Sequence, residues 1–386
     1  MKKVLFIAYH NPQNKNIQST ALVRRIEQYE HFFLENGYKI DYITTKNEDL
    51  NLSLWDNRTL EIPLIKYLKN EILNKIYTFF IMLVWGDQIG YSFFRNRKKI
   101  LAFIDDDYDL IISFFTPRGT IWLGEYLKKK LNKPWWVDLQ DSLVDGLRSH
   151  NIPVGIHWLK RKLSLADQII HVSPEWSEED SKRINKSIKT LRHCIPNTIE
   201  ATKPSFPLRN EGLEKRLFYA GNIHFYAMQP ELLSKSLERF EDQIGFYFAG
   251  EDRTSNVLRE MEIPTVDLGY LDKQQLQESY HEADIIILFA WSKKGRLVIP
   301  SKFYEACAFR KPIMVIGKDS GAFHALFKEW GHPDVVNDTE EKVLATIQSF
   351  LNGKKDGLFY IENCTAPVSD QNGFYGFLTN LLKNKL

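Results

Sequence analysis

The sequence has little cysteine, and this scarcity argues against two common scaffolds. Its 386 residues include three cysteines, Cys194, Cys307 and Cys364, which are far apart and form no CxxC pair. A disulfide framework or a zinc site needs more or closer cysteines, so we expect neither, and a reducing compartment fits better. HExxH, GxSxG and GxxxxGKS/T motifs are also absent, so nothing indicates metalloprotease, nucleophile-elbow or P-loop chemistry.

Long hydrophobic runs are missing as well. The amino-terminal run in MKKVLFIAY is too short for the core of a signal peptide and fits a first buried strand. The longest later run, Tyr77–Trp85, is much shorter than the roughly 20 apolar residues of a membrane-spanning helix. We therefore expect a soluble, cytoplasmic chain, for which peripheral contact with the inner face of the cytoplasmic membrane stays open.

Charge is unevenly divided between the two halves of the chain. The sequence is 44% apolar and 26% charged, as in an ordinary globular protein, and its formal net charge is +2. Residues 1–195 hold 29 Lys and Arg against 23 Asp and Glu (+6), whereas residues 196–386 hold 22 against 26 (−4). This asymmetry suggests that only the first half meets a polyanion or an anionic surface. The sequence contains no RNA-binding motif, and we expect no nucleic-acid partner.

Short apolar strands alternate with helical segments through the first half. The pattern predicts a helix over 17–36 that ends at Gly37, helices over 60–104, and strands at 4–8, 39–44, 110–115, 135–138, 169–172 and 190–194. Strands separated by helices are typical of a parallel sheet covered on both faces. We therefore predict an N-terminal, Rossmann-like α/β domain over residues 1–195.

Residues 196–215 interrupt this alternation with three prolines among polar residues, so we interpret them as an interdomain linker. The alternation then resumes with predicted strands at 217–220, 245–249, 265–268, 285–289 and 313–316, and with helices at 228–240, 254–261, 272–283, 301–310 and 338–352. This predicts a second Rossmann-like domain over 216–368, followed by a helix within 369–386 that packs back toward the first domain. Two doubly wound domains of this kind are expected to face a central cleft, where ligands bind.

The segment IPSKFYEACAFRKP, residues 299–312, combines a helix start with charged side chains. Pro300 and Ser301 open the helix, whose free N–H groups and positive dipole end can face an anion. Lys302 lies in the first turn, and Glu305 follows one turn later on the same face. Such donors suit a diphosphate and such a carboxylate suits a ribose diol, whereas the alternative is a capped surface helix with a Lys–Glu pair. The position after a strand and a loop containing Arg296 favours ligand binding.

Five motifs of the second half resemble, in order and spacing, the donor domain of GT-B glycosyltransferases, particularly the retaining enzymes of family 4. They are 218–222 (FYAGN), 246–250 (FYFAG), 266–271 (VDLGYL), 283–288 (ADIIIL) and the helix at 300–312. In the first half, 166–173 (ADQIIHVS) and 195–197 (IPN) are similar to the end of the acceptor domain. The resemblance spans nearly the whole chain and implies the GT-B fold, with an acceptor-binding first domain and a donor-binding second domain.

The resemblance implies donor contacts for eight residues: Glu305 with the ribose hydroxyls; Tyr270 and Leu271 with the base; and Gly221, Asn222, Arg296, Ser301 and Lys302 with the diphosphate. The chain departs from the family in two places. Many members have a second glutamate eight positions before the ribose glutamate, where this chain has Leu297. Many also have an Arg and a Lys after the glycine loop, whereas residues 223–229 have neither. We infer that Arg296 and Lys302 compensate.

A second candidate site follows the predicted strand at 135–138. Asp141 falls where related enzymes place a catalytic-site His or Asp, and the alternative is an N-cap for a helix beginning at Ser142; both can hold. Asp138 is interpreted as structural. The run DDDYD at 105–109 is similar to the metal-binding DxD of the other glycosyltransferase fold, but it precedes a strand instead of following one. We therefore expect a solvated loop there, and neither a metal nor a cofactor.

Together these observations predict transfer of a sugar from a nucleotide-diphosphate donor, preferably a UDP-sugar, to a hydroxyl of a glycan or lipid-linked acceptor. The pathway we expect is the synthesis of bacterial cell-surface polysaccharide or glycoconjugate. Two alternatives stay open: a nucleotide-sugar epimerase on the same fold, and a non-catalytic protein that binds nucleotide or sugar.

The segment 66–103 interleaves apolar and aromatic residues with basic ones. This mixture is typical of a helix that lies at a membrane interface. Packing within the acceptor domain explains Phe79–Val84 at least as well. The basic residues Arg95, Arg97, Lys98 and Lys99 distinguish the two interpretations, because core packing does not require them.

Overall fold

The structure is a computed structural model that describes residues 2–9, 21–45, 58–65, 71–144, 147, 151–196, 215–225, 227–291, 299–364 and 371–383. The chain divides into two compact units, Met1–Arg192 and His193–Leu386. Most of the predicted linker, residues 197–214, lies outside the described residues. Within the described residues, no helix is both long and apolar enough to cross a membrane.

The first unit contains a seven-stranded parallel sheet with the order β3-β2-β1-β4-β5-β6-β7. Its strands are β1 Lys2–Ile7, β2 Tyr38–Thr45, β3 Thr59–Ile62, β4 Leu110–Phe115, β5 Trp135–Leu139, β6 Gln168–His171 and β7 Lys189–Thr190. Strand β1 pairs with β2 on one side and β4 on the other, so that Phe6 lies opposite both Tyr42 and Ile112. The strand order reverses at this point, which is where ligands bind in open α/β sheets.

Helices cover both faces of this sheet: α1 Ala21–Glu35, α2 Glu71–Trp85, α3 Gln88–Arg95, α4 Arg97–Phe103, α5 Arg118–Leu131, α6 Ile152–Leu163 and α7 Pro174–Ile184. On one face, Phe33 and Tyr29 of α1 make edge-on ring contacts with Phe6 and Phe114 of the strands. On the other, Phe93 of α3 and side chains of α5 and α6 form a cluster with alternate residues of the same strands. Both faces are therefore buried, as predicted for a parallel sheet.

Helices α3 and α5 cross with their backbones in contact. A Cβ added to Gly119 of α5 would collide with the backbone of Gly90 in α3. The Asp87 carboxylate caps α3 by accepting the Gly90 amide at 2.9 Å, and it also accepts the Gly119 amide at 3.0 Å. One carboxylate and two glycines thus fix this crossing.

A buried ion pair joins α1 to the centre of the sheet. The Arg25 guanidinium donates to both carboxylate oxygens of Asp138 on β5 at 2.9–3.2 Å, and the Tyr29 hydroxyl donates to the same carboxylate at 2.7 Å. Arg25 also donates to the carbonyls of Leu191 and Arg192 at 2.8 Å. Because both charged side chains are fully buried and hydrogen-bonded to each other, Asp138 has the structural role that the sequence suggested.

The second unit contains a six-stranded parallel sheet with the order β10-β9-β8-β11-β12-β13. Its strands are β8 Lys215–Ala220, β9 Ile244–Ala249, β10 Val266–Asp267, β11 Ile285–Phe289, β12 Ile313–Ile316 and β13 Val336–Asn337. Its helices are α8 Ser234–Arg239, α9 Asp252–Glu260, α10 Lys273–Glu282, α11 Ser301–Ala308, α12 Ala322–Glu329, α13 Glu340–Leu351 and α14 Gln371–Lys383. Apolar clusters lie on both faces of this sheet. That α14 packs toward the first domain stays a prediction.

Several elements differ from the sequence-based prediction. Residues 59–62, expected to be the start of a helical region, form the edge strand β3, which pairs with β2 from Tyr42 to Thr45. The strand expected at 190–194 ends at Thr190. The prediction also missed α12 and the two-residue strand β13. Short edge strands are defined by their neighbour's hydrogen bonds, so their own sequence carries little signal.

Candidate functional site

At the carboxyl end of β8 the structure brings two of the predicted site residues, Lys302 and Gly221, together. The Lys302 side chain, in the first turn of α11, donates to the Ala220 carbonyl at 2.6 Å and lies 5.6 Å from the centre of the Tyr219 ring. Gly221 follows with φ of 124°, and a Cβ there would overlap the Lys302 ammonium and lie 2.7 Å from its Cε. Residue 221 must therefore be glycine for Lys302 to occupy this position.

A buried tyrosine at the end of β8 fixes the loop that follows this strand. The Tyr219 hydroxyl donates to the Asn222 carbonyl at 2.8 Å. Burial, with Tyr280 as a second cause, raises the pKa of the Tyr219 phenol, which stays a neutral donor. The Gly221 amide donates to the Ala249 carbonyl at 2.7 Å. Gly221 and Asn222 are thereby fixed at the carboxyl edge of the sheet, beside the end of β9.

The N-terminus of helix α11 receives no side-chain hydrogen bond from its N-cap residue. Pro300 precedes the helix and supplies no side-chain hydrogen bond to it. Ser301 and Glu305 are half-buried, while Phe303 and Tyr304 are fully buried in the core. Because the buried side chains fix the helix, the orientation of its N-terminus and of Lys302 is fixed as well. Arg296, the remaining predicted phosphate contact, lies outside the described residues.

The loop after β10 carries the two residues predicted to contact a base. Gly269, with φ of 64°, accepts the Gly250 amide at 2.9 Å, which joins this loop to the one after β9. Tyr270 is 56% exposed, whereas Leu271 packs against the core. Asp272 then starts α10 through a capping box. An exposed aromatic ring on a loop anchored at both ends can stack on a planar ligand.

Two contacts at this edge were not predicted from the sequence. His224 stacks on Trp291 with ring centres 5.0 Å apart, which joins the loops after β8 and β11. The Gln229 amide oxygen accepts the Lys318 amide at 3.0 Å, which joins the segments after β8 and β12. For the segment after β8 the family resemblance pointed only to Gly221 and Asn222, and tertiary contacts identify His224 and Gln229 as further residues that join the loops.

In the first unit, Asp141 lies just after β5 and is half-buried. Its carboxylate accepts a long hydrogen bond of 3.4 Å from the Thr116 hydroxyl, on the loop after β4. The predicted N-cap role is wrong, because residues 142–144 are not helical. Instead the Asp180 carboxylate of α7 accepts the Leu143 amide at 2.9 Å and holds the loop. Asp141 is thus placed at the sheet edge without capping a helix.

Gln140, beside Asp141, is a residue that the sequence analysis did not single out. The residue is buried, with 7% exposed, yet both amide atoms of its side chain lack a hydrogen-bond partner in the part of the chain that the structure describes. An unpaired buried amide costs about 1–3 kcal/mol. Because both amide atoms are out of reach of solvent, a polar ligand at the end of β5 would remove that cost only once the Gln140 side chain turned outward.

His171 ends β6 next to this loop. Its Nδ1 accepts the Ser173 amide at 3.1 Å, and its side chain is completely buried. Burial lowers the pKa of His171 to about 3, outweighing the opposing effect of the Asp141 carbonyl. The imidazole is therefore neutral near pH 7 and does not serve as a positive charge beside Asp141.

The acidic run at 105–109 forms a loop before β4, as predicted. Asp105 pairs with Lys3 and with Arg58, and Asp109 accepts the Lys3 amide at 2.7 Å. These carboxylates hold the amino-terminal end of the sheet, at the edge opposite to Asp141. Across the described residues, no three His, Cys, Asp or Glu side chains are grouped so that they could hold a metal ion.

Two doubly wound parallel sheets on one chain, each with its candidate residues at its carboxyl edge, define the GT-B class of architecture. Comparison with solved structures agrees: the chain has the fold of the GT-B glycosyltransferases. No protein-family model matches the sequence, and no curated protein matches it.

Three solved structures illustrate the similarity. Anabaena Alr3699/HepE in complex with UDP and glucose superposes with a TM-score of 0.63 at 11% identity over 100% of both chains. The lipopolysaccharide outer core galactosyltransferase WaaB gives 0.58 at 13% identity, again over 100% of both chains. UDP-GlcNAc 2-epimerase from Methanocaldococcus jannaschii gives 0.56 at 13% identity over 99% of both. At these identities the comparison establishes the fold, which fits the use of nucleotide sugars.

Proposed function

We propose that this protein is a glycosyltransferase that uses a nucleotide-diphosphate sugar, in particular a UDP-sugar. The observation that carries the proposal is the Lys302 ammonium above Gly221, at the carboxyl edge of the second sheet and in the first turn of α11, to which Pro300 gives no side-chain hydrogen bond. An ammonium, a glycine turn and a helix N-terminus are what a diphosphate requires. The HepE structures with UDP and with UDP-glucose support a uridine donor.

The donor contacts that we propose are those that the family resemblance implies, and the placement of Lys302 beside Gly221 supports them. Lys302, Ser301 and Arg296 bind the diphosphate together with the amides of Gly221 and Asn222. Glu305, one turn further along α11, accepts hydrogen bonds from both ribose hydroxyls. The backbone around Tyr270 and Leu271 binds the base, with the exposed Tyr270 ring available for stacking.

The chemistry we propose is transfer of a hexosyl group to an acceptor hydroxyl, with retention at the anomeric carbon. As the glycosidic bond to the diphosphate breaks, negative charge grows on the leaving group. Lys302, Arg296 and the N-terminus of α11 stabilise that charge, so no metal or other cofactor is required. Asp141 orients the transferred sugar in this retaining reaction; it would deprotonate the acceptor only if the enzyme inverted the anomeric carbon. Gln140 hydrogen-bonds to a sugar hydroxyl beside it once its side chain turns outward.

The acceptor that we propose is a glycan or a lipid-linked saccharide bound by the first unit. The setting is the cytoplasm, at the inner face of the cytoplasmic membrane, in the synthesis of bacterial surface polysaccharide or glycoconjugate. The resemblance of the whole fold to WaaB, a lipopolysaccharide galactosyltransferase, supports this choice.

An epimerase is the second candidate function, because the Methanocaldococcus jannaschii enzyme shares this fold over nearly the whole chain. Incubating the protein with a panel of UDP-sugars and separating the products distinguishes the candidates. A transferase releases UDP, and it does so faster when acceptor glycans or lipid extracts are added. An epimerase converts the donor sugar into its epimer and transfers no sugar to an acceptor. Binding without any product would leave a non-catalytic binding protein and contradict the proposal.

A further inference from the structure

Helix α2 exposes a continuous apolar face. Its large exposed side chains are Leu73, Ile76, Phe79, Phe80, Leu83 and Val84, of which Leu73, Ile76 and Phe80 are more than half exposed. At 100° per residue these six positions fall within an arc of about 140° on one side of the helix. Few soluble proteins leave so many large apolar groups together in water, so this face marks an interaction surface.

The opposite side of α2 is firmly attached to its unit. Ile81 is buried, and the Trp85 ring lies 4.8 Å from Tyr91 and 5.0 Å from Phe94. The Trp158 indole of α6 donates to the Val84 carbonyl at 3.3 Å. The helix is therefore held in a fixed orientation, and the apolar face points outward because the other face is packed.

The charges around α2 are mostly positive. Residues 71–103 contain five Lys or Arg against two acids, Glu71 and Asp87, a balance of +3. Asp87 is hydrogen-bonded to the Gly90 and Gly119 amides. Lys75 of α2 and three basic residues of α3 and α4, Arg95, Lys98 and Lys99, are exposed. Burial and Tyr91 raise the pKa of the Tyr77 phenol of α2, and the positive charge of Arg95 opposes that rise, so Arg95 lies near this helix.

We propose that this face of α2 docks on the surface of an anionic lipid bilayer. The apolar side chains would enter the boundary between head groups and acyl chains, and the basic side chains would bind the anionic head groups. Charge favours a bilayer over a second copy of the chain, because a symmetric pair would bring Lys75 and Arg95 of both copies together. This inference concerns a surface of the first unit, whereas the proposed donor residues belong to the second, and it does not depend on them.

The test is flotation of the full-length protein with phosphatidylcholine vesicles, with and without phosphatidylglycerol. We expect the protein to float with the phosphatidylglycerol vesicles at low salt and to be released by high salt. Phe80→Ser should weaken partitioning by about tenfold or more, because it removes the most exposed ring of the face. Leu34→Ser is the matched control: Leu34 is also exposed, but it lies on α1, on the opposite side of the sheet, and the variant should float like the parent.

A second arm tests the charges. The triple variant Arg95→Ser, Lys98→Ser and Lys99→Ser should float poorly with anionic vesicles, whereas Lys354→Ser, an exposed lysine of the second unit, should behave normally. Absence of flotation by the parent protein at low salt would overturn the proposal. So would a lipid-free dimer, seen by light scattering, that Phe80→Ser converts to monomer, because it would identify a second copy as the occupant.

Discussion

Replacing Gly221 with alanine tests whether the position of Lys302 matters for nucleotide binding. The new methyl group would take the space of the Lys302 ammonium and end its hydrogen bond to the Ala220 carbonyl. A φ of 124° also strains an alanine, at a cost of about 1–3 kcal/mol to folding. Loss of a charge-assisted contact to the diphosphate is worth roughly 1.5–3 kcal/mol. UDP affinity should therefore fall about 10- to 150-fold.

A matched variant separates the effect of backbone strain from the effect of displacing the Lys302 side chain. Gly353 has a φ of 75° and nothing within 4 Å of an added Cβ, so Gly353→Ala strains the backbone without moving a side chain. Calorimetric titration with UDP should show weakened binding for Gly221→Ala alone, although thermal unfolding shows both variants destabilised. Lys302→Met should lose a similar amount of UDP affinity. The double variant with Gly221→Ala should bind UDP little more weakly than Lys302→Met alone, because both substitutions remove the same interaction. Equal UDP affinity in Gly221→Ala and Gly353→Ala would refute this reasoning.

Three further predictions concern other residues of the two units. Glu305→Ala should weaken UDP binding by about 1–3 kcal/mol with little loss of stability, since the side chain is only half-buried; unchanged affinity by calorimetry would remove the ribose assignment. Asp141→Asn should abolish most turnover while UDP still binds, and Gln140→Leu should do the same; parent-level turnover in both would rule out a site at the end of β5. For His171, burial lowers the pKa from 6.5 in the unfolded chain to about 3 in the folded protein. Between these values only the unfolded chain takes up the proton, so stability falls by ~1.4 kcal/mol per pH unit as pH drops below 6.5. In chemical denaturation, His171→Gln should flatten this slope, and an equal slope in both proteins would contradict the neutral imidazole.

Continuous apolar runs are the part of the fold that the sequence predicts best. The strands at 110–115, 285–289 and 313–316 have the bounds that were predicted, because fully buried parallel strands need uninterrupted apolar residues. The edge strands β3 and β13 were missed, because Thr59–Ile62 alternates polar and apolar residues instead of forming an apolar run, and Val336–Asn337 is only two residues long. The helix expected after Asp141 does not begin there, because Asp180 holds the Leu143 amide in a loop instead.

Helix spacing singled out the proposed donor residues of α11, whereas the family resemblance supplied those of the loops after β8 and β10. Lys302 and Ala220 are 82 residues apart, and nothing in the local sequence of either indicates that they meet. The unpaired amide of Gln140 is a property of its surroundings, so no sequence pattern could have revealed it. The stack of His224 on Trp291 likewise depends on the approach of two loops.

In the first unit, the residues at the crossing of α3 and α5 cannot be replaced without disturbing the fold, whereas those on the outer face of α2 can be. At Gly90 and Gly119 any larger residue would drive two backbones apart, and Asp87 would lose the amides that it bridges. The outer face of α2 carries no such constraint, because Ile81 is its only fully buried large side chain among those the structure describes. Polar residues grafted onto that face should give a variant that keeps its fold while losing its apolar surface. The contact between Gly90 and Gly119 would stay unchanged in such a variant, while the outer face of α2 is redesigned.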